Sequence, residues 1–157
     1  MKKLLFLFAT VLLLSCSSDD SNNSTTGNSI VGKWNLQNIL TYGQSEGGGS
    51  YTCNKEFDIT EFKSNGILIT KYSNNVAANC IQLTDNGTYL IEGDILTDTQ
   101  MNGSIKIFEA VYKIKTLTST TLKLESISLF ESSSDGVTQY NDVYQPGEEV
   151  KVYVKIN

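Results

Sequence analysis

The chain has 157 residues, with twelve Lys, no Arg, seventeen acidic residues, a net charge of −5 and no His. An acidic chain without Arg is a poor partner for nucleic acid, because neutralising phosphates takes clustered cations and bidentate base reading usually uses Arg. The missing His removes the side chain that most often serves as general base and metal ligand near neutral pH, and with it Ser-His-Asp and Cys-His hydrolases and the usual zinc sites.

Lys2 and Lys3 precede an apolar run from Leu4 to Leu14, which ends at Ser15-Cys16 before Ser17-Ser18-Asp19-Asp20. The run is shorter than the roughly twenty residues needed to span a bilayer and has the layout of an export signal. Leu13-Leu14-Ser15-Cys16 resembles the lipobox of bacterial lipoproteins. That resemblance implies removal of residues 1–15 and a diacylglycerol thioether on Cys16, which would hold the protein to a membrane. Asp19-Asp20 resembles the acidic export signal that sends lipoproteins to the outer face of the outer membrane in one group of diderm bacteria. The implied location is therefore the outer membrane, facing the periplasm or the cell surface. Loss of residues 1–15 leaves ten Lys against seventeen acids, a net charge of about −7.

Residues 17–29 contain no apolar side chain that would offset the entropy of ordering them, so residues 16–29 read as a lipidated Cys and a flexible tether. As a random coil the tether reaches roughly 20 Å. Residues 30–157 are long enough to close one core and form a single domain.

Along that domain the apolar residues alternate. Ile30, Trp34, Leu36 and Leu40 share one face of a first run, with Lys33, Asn35 and Gln37 on the other. In the last run Val150, Val152, Val154 and Ile156 alternate with Lys151, Tyr153 and Lys155. Period two marks strands with one buried face. Asn65-Gly66, Asn86-Gly87 and Asn102-Gly103 lie beside apolar runs, where Asn-Gly suits hairpin turns. Counting between turns predicts about eight strands: 31–41, 55–63, 67–73, 87–92, 94–99, 104–116, 121–131 and 149–156, with no substantial helix. Sequential hairpins in this number suit an antiparallel up-and-down barrel or a strongly curved sheet, because full closure removes exposed edges. Two strands change phase. Ile105 and Ile107 share one face while Phe108, Ala110, Tyr112 and Ile114 share the other, and Leu122 and Leu124 give way to Ile127 and Leu129. Either a bulge near the middle of both strands restores the inward set, or both faces are partly buried there.

With Cys16 assigned to lipid, Cys53 and Cys80 remain as one pair in an exported chain. A disulfide is the simplest reading, worth roughly 3–4 kcal/mol of denatured-state entropy in the loop model. A redox couple and two free thiols are the alternatives, and no CxxC spacing favours the first.

Gly32-Lys33-Trp34 opening the first strand resembles the Gly-x-Trp signature of lipocalins, in which the Trp plugs the closed end of the barrel. The wider layout is similar to a bacterial group of lipocalin-like lipoprotein domains. Ile30 to Leu36 matches its opening, Cys53 before Phe57 with Asn65-Gly66 its first hairpin, and Cys80 with Gly87-Thr88-Tyr89 and Asp94 to Thr97 its middle. Tyr112 to Glu125 resembles its most recognisable segment. The resemblance covers nearly all of residues 30–157 and implies a lipocalin-like all-β barrel and a cavity, but no defined activity.

The expectation is a binding module that takes a small, partly apolar molecule in or at the mouth of the barrel, with Trp34, Tyr72, Tyr89 and Tyr112 as candidate ligand-binding residues. The alternative is a filled barrel that contacts a protein or glycan partner through loops 43–52, 74–80 and 132–148, with Tyr140 and Tyr144 suited to stacking on sugar rings. A polar interior would favour the ligand and a wholly apolar one the scaffold. Catalysis is not expected. Glu148 and Glu149 would face opposite sides of a strand, and Asp94 with Asp98, although able to share a face, has no nucleophile near it in sequence. Asp85-Asn86-Gly87 lacks the spaced oxygen ligands of a calcium loop, and no cofactor or metal is expected.

Overall fold

The structure, a computed structural model, describes residues 29–45, 58–76 and 79–157. Within them the chain forms ten strands and no helix: β1 Gly32–Thr41, β2 Gln44–Ser45, β3 Ile59–Phe62, β4 Ile67–Val76, β5 Asn79–Glu92, β6 Ile95–Asn102, β7 Ile105–Leu117, β8 Thr121–Ser132, β9 Gln139–Val143 and β10 Glu149–Ile156. All pairings are antiparallel. β1, β3 to β8 and β10 follow one another around a closed ring, in which β10 pairs with both β8 and β1. The expected barrel of about eight staves is therefore present. Two short strands were not anticipated: β2 folds back on the end of β1, and β9 pairs with the second half of β8 inside the stretch read as the loop 132–148.

Register explains the phase changes. Ile107 in β7 and Ile127 in β8 are each an extra residue against the partner strand, as is Lys115 further along β7. The bulge at Ile127 lets Leu122, Leu124 and Ser126 share the inward face with Leu129 and Glu131, whose spacing would otherwise put them outside. A fourth bulge, at Gln37 in β1, was not foreseen. It turns Ile39 rather than Leu40 toward the interior beside Leu36.

Two other expectations are corrected. Asn86-Gly87 is not a turn but lies within β5, which begins at Asn79; since β4 runs to Val76, the two strands together take up most of the expected loop 74–80. Gly is required there for a different reason: a Cβ at Gly87 would stand 2.7 Å from the Thr99 carbonyl oxygen and 3.2 Å from an Asp98 carboxyl oxygen. Asn65-Gly66 and Asn102-Gly103 do form turns, with φ of 79° at Gly66 and 61° at Gly103. In β10 the buried face is inverted. Lys151 and Tyr153 point into the barrel, while Val154 is 39 % exposed.

The core occupies one end. Trp34, Leu96, Leu122 and Leu124 are almost wholly buried, together with Ile30, Phe62, Leu68 and Ala110. Trp34 donates its indole N–H to the Ile30 carbonyl at 2.6 Å, so burial costs it no hydrogen bond. Lys155 Nζ lies 5.0 Å from the centre of its ring and donates to the Val31 carbonyl at 3.0 Å, closing this end with a cation over an aromatic face.

Candidate functional site

Above this core the barrel is hollow. On the inward faces of its staves, Leu96, Asp98 and Gln100 follow one another on β6, Tyr112 and Phe108 on β7, Leu68, Thr70 and Tyr72 on β4, and Tyr153 and Lys151 on β10. They enclose a cavity of about 380 Å³ whose floor is Phe62, Leu68, Leu96 and Leu124 and whose upper wall is largely polar. A second lobe of about 260 Å³ reaches Leu36, Ile39 and Asp58, and a third of about 280 Å³ reaches Ser126, Tyr144 and Glu149. Lys151 lines all three lobes. Alternation along β5 places Ile81 and Leu83 on the same face as Asp85, and both are exposed, which adds an apolar strip at the mouth.

The polar groups are tied together around Lys151. Its ammonium donates to the Tyr112 hydroxyl at 3.2 Å and lies 3.7 Å from Glu149. Ser126 donates to Glu149 at 2.5 Å. Burial alone would lower the basicity of Lys151, but the Tyr112 and Tyr153 hydroxyls and the Glu149 carboxylate outweigh it, so Lys151 is held above its ordinary value and stays protonated. Burial pushes the Tyr153 hydroxyl well up, against the opposing effect of Lys151. Tyr72 is also raised, first by burial and then by Asp85, to which it hydrogen-bonds.

Asp98 stands apart. It is 7 % exposed, and its buried Oδ1 has no hydrogen-bond partner among the described residues. Burial and the neighbouring Asp85 raise its carboxyl to about 7, with Lys151 pulling the other way. A buried carboxyl left without a partner is costly, and the raised value is the form that cost takes.

Of the residues singled out from sequence, Tyr72 and Tyr112 line the cavity. Trp34 and Tyr89 border none of the three lobes. Trp34 belongs to the plug, and Tyr89 packs edge-on against Phe62, with ring centres 5.1 Å apart, and donates to the Lys63 carbonyl at 2.7 Å. Tyr140 and Tyr144 are separated in role. Tyr140 is exposed and hydrogen-bonds Asp142 at 3.3 Å, whereas Tyr144 lines the third lobe. Asp94 lies outside beside Lys113, and so does not converge with Asp98. Glu148 and Glu149 diverge as expected, the first accepting from the Gln145 backbone at 2.6 Å and the second facing inward. Cys16 and Cys53 lie outside the described residues, and Cys80 is on β5 on an exposed stretch. The loop 43–52 lies mostly outside them as well. Lys151, Tyr153 and Asp98 were not proposed as ligand-binding residues. The inverted face of β10 was concealed by its Val residues, and the only hint was a Lys-x-Tyr pair in phase with each other.

Among the described residues no cluster of three potential metal-ligating side chains occurs, and no helix is long and apolar enough to cross a membrane. A sequence model of the lipocalin-like domain matches residues 30–124. No curated protein matches the chain. The match covers more than half of the sequence and agrees with the closed barrel, so the chain belongs to the lipocalin-like domain family.

Proposed function

We propose that this lipocalin-like domain binds a small, partly apolar molecule inside its barrel and that it does so as a binding protein rather than an enzyme. The reading rests on one observation: the cavity above the plug has an apolar floor and a polar wall, with Lys151 at the junction of three lobes. A packed structural barrel would bury leucines at these positions, since polar groups enclosed without function cost stability. A molecule of the size that the lobes admit would set its apolar part on Phe62, Leu68, Leu96 and Leu124 and its polar part among Tyr112, Tyr153 and Lys151.

The export signal and the Cys16 lipobox support a place for this domain on a membrane, held through lipid, with the tether setting its distance from the surface. A Cys53–Cys80 disulfide is part of the same proposal, since an exported chain meets an oxidising environment. Incorporation of labelled fatty acid into the wild type and not into Cys16→Ser tests the anchor. The mass of the intact chain with and without reductant and alkylation tests the bridge.

Native mass spectrometry of the protein isolated from its own envelope, beside a denatured run, tests the binding reading. A discrete adduct that is lost on denaturation and diminished at least tenfold in Leu96→Trp, a substitution that fills the floor, is the expected result. A bare wild-type chain after incubation with envelope extract overturns the reading in favour of a barrel acting through its loops.

A further inference from the structure

Resting on the binding reading above, we propose that the barrel selects a ligand carrying a single positive charge, an organic ammonium on an apolar body, seated against Asp98 and Asp85.

Three carboxyl groups, Asp85, Asp98 and Glu131, face the largest lobe against one ammonium, that of Lys151. Lys151 is already occupied by the Tyr112 hydroxyl at 3.2 Å and Glu149 at 3.7 Å, on the side of the third lobe. The field left in the largest lobe is therefore negative, and enclosure by protein strengthens it relative to open water.

Within that field Asp98 Oδ1 is an acceptor with no donor among the described residues. It is enclosed in a side chain of 7 % exposure on a stave whose neighbours Leu96 and Gln100 line the same cavity. The backbone at Gly87 on β5 packs closely against this oxygen, where a Cβ would stand 3.2 Å from it, so no side chain of β5 supplies the missing donor from that position. Asp85 faces the same space two residues before Gly87 on β5, with the Tyr72 hydroxyl bonded to it.

A ligand ammonium here supplies the missing donor to Asp98 and at the same time a counter-charge for both carboxylates. A neutral hydroxyl supplies only the first, and an anion meets repulsion from all three acids. The apolar floor directly below accounts for the other half of the molecule, and Tyr72 and Phe108 in the wall provide rings against which a cation is favourable.

The test uses the full chain in mild detergent at pH 8 and three probes that differ only in their polar end: 2-phenylethylamine, 2-phenylethanol and 3-phenylpropionate. Binding is followed by backbone amide chemical shifts, so that partition of a probe into detergent is not counted. The amine is expected to bind at least tenfold more tightly than the alcohol and the propionate not to bind. Asp98→Asn and Asp85→Asn should each reduce the preference for the amine at least fivefold, with an unchanged far-ultraviolet spectrum. Either variant suffices should the other fail to fold. Equal binding of amine and alcohol, preference for the propionate, or an amine preference untouched in both variants overturns the cation assignment and leaves the binding barrel standing. Retention of calcium by the wild type and not by Asp98→Asn overturns it in favour of a metal site. Silence toward all three probes and toward a series of alkylamines from butyl to decyl overturns the cation assignment, and the native mass spectrum then decides the binding reading on its own.

Discussion

Asp98 places a titrating group where the barrel can least accommodate a charge. Its carboxyl is raised from 3.8 to about 7 by burial and by Asp85 on β5, with Lys151 on β10 opposing. The folded state therefore holds a proton that the unfolded chain releases above pH 4. Below 3.8 both states are protonated and Asp98 costs nothing; between there and 7 stability falls as pH rises, and above 7 the full penalty is present. At about 1.36 kcal/mol per unit, the penalty is on the order of a few kcal/mol. Asp98→Asn should therefore match the wild type in denaturant titrations at pH 4 and exceed it by about 1–3 kcal/mol at pH 8. A difference that does not grow with pH would remove Asp98 as the buried titrating group. Gly87→Ala sets a methyl 2.7 Å from a backbone oxygen in a paired strand, where neither partner can swing aside. It should lower stability by about 1–3 kcal/mol, measured by the same titration.

Among elements, β8 shows how little material sets the inward face. Ile127 is one residue: with it Leu129 stands three positions after Ser126 and still faces inward, and without it Leu124, Ser126 and Leu129 would share that face by plain alternation. Deletion of Ile127 should therefore keep Leu129 and Glu131 on the cavity wall and cost only about 1–2 kcal/mol, through loss of the local bend and of the Tyr144 backbone hydrogen bond to the Ile127 carbonyl, a loss that circular dichroism melts would register. The phase change at this strand was legible in the sequence because Leu122, Leu124, Ile127 and Leu129 cannot share one face of a regular strand. The bulge at Gln37 was not, since Ile39 and Leu40 are both apolar and either one satisfies alternation. β10 misled for a related reason. Alternation identifies two faces but not which is buried, and Val in a strand signals β-propensity as readily as burial. The interior of this barrel is polar where its ligand space lies, so the rule that apolar residues face inward fails at the residues that form the candidate site. Asn86-Gly87 failed as a turn signal because a strand crossing close to Thr99 also demands Gly.

At the scale of the molecule, stability and function are assigned to opposite ends. The plugged end has Trp34, Leu96, Leu122 and Leu124 in close packing, with the hairpin from Leu117 to Thr121 and the end of β10 drawn against it. The upper end carries the cavity, the exposed Ile81 and Leu83, and the short strands β2 and β9 that pair along one edge only. Hydrogen exchange should follow this gradient, slowest at the amides of β1, β6 and β8 near Trp34, Leu96 and Leu122 and fastest in β9. Uniform protection along β8, from Thr121 to Ser132, would contradict it. The closed ring itself was readable from the count of turns, whereas the gradient was not, because it depends on which residues meet across strands far apart in sequence.

The chain has a single tryptophan, Trp34, and it is sealed beneath the floor with Lys155 over its ring. It borders none of the three lobes of the cavity. Its emission therefore reports whether the closed end is intact and shifts to longer wavelength when that end opens, but it carries no signal from an occupant of the lobes. A fluorescence titration with a ligand that does not absorb in the tryptophan emission range would be flat even at saturation. Optical detection of binding has to come from tyrosine, where Tyr72, Tyr112 and Tyr153 surround the occupant, or from a second tryptophan placed at the mouth.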